Sequence, residues 1–376
     1  MNIFVFGSSL TSTYWNGAAT YYRGIYKNLH RLGHRIIFAE PAIYDRQAHQ
    51  DITDANYADI RIYPSAADIP DLMKEAAQAE VVIKHSGVGA DDAFLEREVL
   101  SCRSGDTRVV FWDVDAPATL ASVAKDSHHP FRSLIGRFDA IFTYGGGPPV
   151  IAEYQRLGAG STLPIYNGLD PETHYLVSPL DEFAADLTFI GHRLPDREAR
   201  VEEFFLRTAT LAPEFSFLLG GEGWGTKPLP SNVRWIGHVP ADRHNVVNCS
   251  ARMVLNVNRD SMAQVGFSPP TRVFEAAGAG ACVVTDSWVG IEQFFSPDTE
   301  ILVARSAEDV VAHLGRLDRS QSSRIGLAML SRALREHTYS LRAAEVDVAL
   351  RKLLADGKIE ASPKEHLDWS HSFSPA

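Results

Sequence analysis

The sequence is poor in cysteine, in long apolar runs and in net positive charge. Its 376 residues include only three cysteines, Cys102, Cys249 and Cys282, far apart and without a CxxC pair. That excludes a disulfide scaffold and a cysteine-based zinc framework, and it fits a reducing cytoplasm. No window reaches the ~18 apolar residues of a membrane span. The opening MNIFVFGSS lacks the basic region and long apolar stretch of a signal peptide. Against 47 acidic residues stand 36 basic ones, a formal net charge of -11. A general nucleic-acid binder needs a basic face to neutralise phosphates, so nucleic acid is not an expected partner. A few local arginines still suffice for one small phosphate. No short repeat or low-complexity tract is present.

What is there is ordinary globular material, 45% hydrophobic and 22% charged, long enough for two domains. Ile3 to Phe6 reads as a strand, Gly17 to Leu32 as a helix closed by Gly33, and His34 to Ala39 as a second strand. Strands and helices then alternate to about Leu157. The pattern breaks across Asn167 to Asp186, with Gly168, Pro171 and Pro179, and a second alternating series follows. Such alternation implies mainly parallel sheets covered on both faces. The expected domains are residues 1–168 and 180–338, both Rossmann-like. A C-terminal helix over 339–357 is expected to return to the first domain, with Leu341, Val348, Leu350 and Leu353 as its packing residues. The tail 358–376 loses periodicity. Two doubly wound domains would face a central cleft, with ligands at the carboxyl ends of the strands.

The richest segment is GFSPPTRVFEAAGAGACVVTD, Gly266 to Asp286. Its Pro-Pro pair suits helix entry. Thr271 and Arg272 fall in the first turn, where free N–H groups and a guanidinium suit a diphosphate. The competing reading is a buried αβ unit whose small residues serve close packing.

This segment resembles the donor-binding helix and strand of GT-B glycosyltransferases, and in particular the CgeB-like group related to the family called GT4. DLTFIGHRLPDRE (Asp186 to Glu198), VRWIGHV (Val233 to Val239), RMVLNVNRDS (Arg252 to Ser261), DSWVGIEQFF and EILVA agree in the second half. FWDVDAP and FDAIFTYGGG agree in character in the first. The resemblance implies an α/β GT-B fold and sugar transfer from a nucleotide-sugar (UDP-, GDP- or dTDP-linked) to an acceptor hydroxyl. It implies that Glu275 bonds the ribose hydroxyls and that Thr271 and Arg272 face the phosphates. Gly191 would let the backbone approach the diphosphate, Arg193 would neutralise it, and Gly237, His238 and Val239 would lie beside the base. Arg193 and Arg197 have a plainer reading as surface partners of Asp196 or Glu198. The GT4 pattern often carries a second glutamate eight positions before Glu275, and this sequence has Phe267 there.

The first half offers three catalytic candidates. Asp113 and Asp115 form a DxD at a strand end. Such a pair can hold a cation, but here one of the two is expected to act as a base or to orient an acceptor hydroxyl; strand-end turn chemistry is the plainer alternative. His85 ends the strand VVIKH and either assists proton removal or is structural. Asn16 and Gly17 open the first helix, whose N-terminus would favour a phosphate, and Tyr14 and Trp15 would stack on an acceptor sugar or merely pack. No metal set and no cofactor beyond the nucleotide-sugar are expected. A non-catalytic scaffold and a sugar-nucleotide epimerase remain as other uses of the same fold.

Overall fold

The computed structural model describes residues 1–14, 16–52 and 55–359. Trp15 and the tail from residue 360 lie outside the described residues. By internal contacts the chain forms two units. The first comprises Met1–Ala19, His30–Ile165 and the chain from Glu345; the second comprises Thr20–Leu29 and Tyr166–Ala344.

In the first unit the strands are β1 (Asn2–Phe6), β2 (Arg35–Pro41), β3 (Asp59–Tyr63), β4 (Val81–His85), β5 (Arg108–Asp113), β6 (Ala140–Thr143) and β7 (Thr162–Pro164). They form one sheet in the order β3-β2-β1-β4-β5-β6-β7, parallel throughout; Ile3 pairs with both Ile36 and Val81. Strands buried on both faces read as continuous apolar runs, as Ile3–Phe6 and Val81–Ile83 do. The helices between these strands are α1 (Ala19–Arg31), of which Thr20–Leu29 belongs to the second unit, and α2 (Ile69–Ala76), α3 (Asp92–Glu98), α4 (Ala116–Lys125) and α5 (Gly147–Arg156) of the first. Helix α4 and strand β7 do not stand out in the sequence. In α4 the turn-like DAPAT is a helix start, because proline fits the first turn. In β7 only three residues carry the pattern.

The second unit repeats the design. Its strands are β8 (Ala185–Ile190), β9 (Phe217–Gly220), β10 (Val233–Trp235), β11 (Ala251–Asn256), β12 (Val283–Asp286) and β13 (Leu302–Ala304). Their order is β10-β9-β8-β11-β12-β13, again all parallel. Helix α6 (Glu198–Val201) runs through a π segment, Glu202–Arg207, into α7 (Thr208–Leu211). The wider turn keeps the adjacent Phe204 and Phe205 both buried. Helices α8 (His244–Ser250), α9 (Asp260–Val265), α10 (Thr271–Gly278), α11 (Ala307–Arg316) and α12 (Arg319–Glu336) follow, and α13 (Tyr339–Asp356) belongs to the first unit from Glu345 on. Alternate residues of β12 feed different cores: Val284 joins Leu187, Phe189, Phe205 and Trp224, whereas Val283 joins Val273, Phe274, Phe294 and Met329. In each sheet the strand order reverses beside the first strand, β1 or β8, and such a switch point opens a crevice at the strand ends.

Two expectations change. Residues 166–184 hold little regular structure, and 171–184 are mostly exposed, yet the start of the segment is packed: Leu169 is buried, its N–H donates to His337 O (2.7 Å), and its carbonyl accepts from Tyr339 N–H (3.0 Å). In α13, Leu350 and Leu353 are buried, but Leu341 and Val348 are 39% and 66% exposed. The buried stripe runs through Ala343, Val346, Leu350 and Leu353, at spacings of three and four. Leu341 and Val348, seven apart, lie on the opposite face.

Candidate functional site

Strand β8 ends at Ile190 and the chain turns at Gly191, at the switch point of the second sheet. The turn is held from both sides: Gly191 N–H donates to Gly220 O (2.9 Å), and Trp224 Nε1–H donates to Gly191 O (2.7 Å). A β-carbon at Gly191 would lie 3.0 Å from an Arg197 nitrogen and 3.1 Å from an Arg272 nitrogen. Two guanidinium groups thus converge where the glycine leaves space. Both also lie over the Phe189 ring, at 5.9 Å for Arg197 and 5.2 Å for Arg272. Arg197 donates to His192 O (2.8 Å). Neither arginine forms an ion pair with a carboxylate among the described residues. Burial, and then the Arg272 charge, push the Arg197 pKa down; burial lowers that of Arg272, with Glu275 opposing. Two guanidinium groups this close raise the local positive potential, which the Asp196 and Glu275 charges offset in part.

Arg272 stands in the first turn of α10, next to the half-buried Thr271, and Glu275 follows one turn later. The half-buried Glu275 carboxylate forms no hydrogen bond among the described residues. His174 and His244 are beside it: one ligand atom from each of the three lies within 4.8 Å of the others. Gly278 explains how His174 gets there. A β-carbon at Gly278 would lie 2.6 Å from His174 O, so only glycine lets that segment cross α10 so closely. The segment is also tied by His174 N–H to Asp170 O (2.9 Å) and by Asn245 Nδ2 to Thr173 O (2.9 Å). His244 places Nε2 3.2 Å from Val239 O. Burial lowers its pKa, opposed by the nearby Glu275 charge.

Gly237 has φ +69° with open space where a side chain would be, and its carbonyl accepts from Gly221 N–H (2.6 Å). His238 N–H donates to Glu222 Oε1 (3.1 Å), and its ring stacks on His192 with centroids 5.9 Å apart. Arg193 points elsewhere. It is paired with Glu198 (2.8 Å) and reaches Thr226 Oγ1 (3.3 Å), so Arg197 is the arginine of this loop that lies at Gly191. Sequence reasoning ranked the two the other way, and their spacing alone could not have separated them. Phe267 is buried at φ +48°, and a β-carbon at Gly290 would lie 2.2 Å from its ring. Apolar packing thus occupies the position where the related pattern has a glutamate.

In the first unit, Asp113 is not open to a substrate or an ion. It is fully buried and accepts from Ser86 Oγ (2.7 Å), Asp115 N (3.0 Å), Thr119 Oγ1 (3.1 Å) and Tyr154 OH (2.5 Å). Burial raises its pKa against those four bonds. Three of these bonds fall on Oδ1 and that from Tyr154 on Oδ2. Asp113 thus ties the ends of β4 and β5 to helices α4 and α5. Asp115 is half-buried. His85 is fully buried with its ring 5.2 Å from Trp112. Burial, then Lys84, hold its pKa well below the usual value, so the ring is neutral near pH 7. Asn16 is spent on its own loop, accepting from Ser8 Oγ (2.8 Å) and donating to Ser9 O (2.8 Å) and Ser12 O (3.0 Å). Gly17 is exposed.

This architecture has known counterparts. Sucrose-phosphate synthase from Thermosynechococcus elongatus superposes with TM-score 0.66 at 12% identity, over 94% of this chain and 99% of that one. HepE from Anabaena, solved with UDP and glucose, gives TM-score 0.65 at 12% identity over 94% and 100%. An alpha-glucosyltransferase solved with UDP-glucose and DNA containing an abasic site gives 0.67 at 14% over 94% and 100%. The chain has the GT-B fold. Within this GT-B chain, residues 197–347 match the model of a family described as Glycosyl transferase-like. That stretch includes Arg197, Gly237, His244, Arg272 and Glu275. No curated protein sequence matches. No described helix is long and apolar enough to cross a membrane.

Proposed function

We propose that the chain is a glycosyltransferase whose second unit binds a nucleotide-sugar, and that it moves a hexose to an acceptor hydroxyl. One observation carries the reading: Arg197 and Arg272 converge at the Gly191 turn without a carboxylate partner. In this reading they hold the donor diphosphate and stabilise its negative charge as the sugar leaves. The first turn of α10, with Thr271, adds N–H donors. The Glu275 carboxylate accepts the ribose hydroxyls, and the Gly237–His238 turn lies beside the base. UDP is the nucleotide to test first, because HepE and the alpha-glucosyltransferase are solved with UDP or UDP-glucose. The chain is assigned to the CgeB-like group on the motifs quoted above. The three cysteines, all free, support a reducing compartment such as the cytoplasm.

Paired arginines do electrostatically what a divalent ion does at a DxD, so transfer is proposed to be metal-independent. The formal charge of -11 supports an acceptor other than a phosphate polymer. Of the three catalytic candidates, Asp115 is the one that is not fully buried, and it is the one to vary when testing for a base. Calorimetric titration with UDP, then UDP-glucose, tests the donor site. Binding by the wild type that falls at least about tenfold in both Arg197→Ala and Arg272→Ala supports the reading. Binding unchanged in both variants would remove it. Absence of any nucleotide binding would favour the scaffold alternative.

A further inference from the structure

The pair of imidazoles beside Glu275 has no role in the donor reading. We propose that His174, His244 and Glu275 form a binding site for a single transition-metal ion of the zinc class. Three observations carry this. The first is convergence: the three residues come from separate segments and bring one ligand atom each within 4.8 Å of the others. Metal–ligand bonds of about 2.0–2.2 Å need donor atoms roughly 3.5 Å apart, so small side-chain rotations close the set.

The second is chemistry. Two imidazoles and a carboxylate form the donor set of zinc sites that keep a fourth position open. Nitrogen donors suit zinc, copper, nickel and cobalt, whereas magnesium and calcium prefer oxygen throughout. The third is support around the ligands. Metal-bound histidines usually engage their second ring nitrogen elsewhere, which fixes the ring and its tautomer. Here His244 Nε2 is 3.2 Å from Val239 O, and His174 Nδ1 is 2.9 Å from Thr173 Oγ1. Each ring keeps its other nitrogen for a ligand. The backbone is equally fixed: Asn245 holds Thr173, and Gly278 gives the His174 segment clearance over α10. All three residues are half-buried, sheltered yet reachable by an ion from solvent.

The site shares Glu275 with the donor reading but does not depend on it, because metal uptake is measured without nucleotide. The full-length chain, stripped of metal with a chelator, is titrated with Co²⁺ and Zn²⁺. The expected result is one equivalent of each, with Co²⁺ developing the intense visible bands of a low-coordinate nitrogen–oxygen site. His174→Gln, His244→Gln and Glu275→Gln should each weaken binding by about tenfold or more. His128→Ala, at a 95% exposed side chain, should bind as the wild type does. Wild-type Co²⁺ that keeps the weak spectrum of the aquo ion overturns the proposal, and that readout needs no variant to fold. Zn²⁺ affinity unchanged in the His174→Gln, His244→Gln double variant overturns it as well. A parallel UDP titration separates the two readings. UDP binding without metal uptake removes this proposal alone; metal uptake without UDP binding removes the donor reading alone.

Discussion

Replacing Arg272 with methionine should move two observables in different ways. The substitution keeps the flexible apolar stem over Phe189 and deletes the charge. In the free protein, the nearest Arg197 and Arg272 nitrogens are at most about 6 Å apart. At an effective dielectric near 20, two unit charges at that distance repel by roughly 3 kcal/mol. Partial exposure reduces this to about 1–2 kcal/mol. The variant also loses the cation–π contact with Phe189, worth about 0.5–1 kcal/mol. The free variant should therefore be as stable as the wild type within about 1 kcal/mol, or slightly more stable. Nucleotide binding should behave differently. A charge-assisted bond to a phosphate contributes about 1.5–3 kcal/mol, so UDP affinity should fall by about tenfold to a hundredfold. Urea unfolding measures the first quantity and calorimetry the second. Lost stability above about 2 kcal/mol with unchanged UDP affinity would refute the argument and make Arg272 a structural residue.

Three further outcomes follow from the same geometry. Asp113→Ala strands the Ser86, Thr119 and Tyr154 hydroxyls in the core and should cost about 3 kcal/mol or more in urea unfolding; a folded variant without transfer activity would return Asp113 to the catalytic list. His337 is buried, with Nε2 2.9 Å from Phe294 O and Nδ1 3.0 Å from an Arg342 nitrogen, and its pKa is held down to about 4, by burial first and Arg342 second. The unfolded chain takes up that proton near pH 6.5 and the folded one only near pH 4, so stability should be full above pH 6.5 and fall by about 2 kcal/mol by pH 5; an equally steep fall in His337→Gln would assign the loss to other groups. Gly278→Ala puts a methyl 2.6 Å from His174 O, which should displace the 170–174 segment and abolish zinc uptake, and in the wild type Zn²⁺ should compete with UDP for Glu275; additive binding of the two would refute the shared carboxylate.

The alternation of strands and helices was legible because parallel strands buried on both faces leave apolar runs that sequence displays directly. Arg272 and Glu275 were legible too, being three residues apart on one short helix. Arg197 was not. It and Arg193 occupy one loop with the same chemistry, and only the fold decides that Arg193 turns to Glu198. The DxD misled for a related reason: Asp113 looks like any acidic strand end until Ser86, Thr119 and Tyr154 close around it. The imidazoles beside Glu275 were out of reach altogether. They are 70 residues apart in sequence, and what unites them is the clearance at Gly278, which a sequence shows only as one more small residue.

The first unit is assembled from three stretches of chain, and the last of them begins at Glu345. His34 meets Asp347 at 2.7 Å and Arg108 meets Leu353 O at 3.2 Å. A chain emerging from the ribosome therefore cannot complete its first unit when that unit's sheet has been made. It must hold an unfinished core through the synthesis of nearly two hundred further residues. Chains stalled before Glu345 should be cut by protease within 30–165 far faster than released ones, and equal resistance would show that the amino-terminal sheet closes without its last helix.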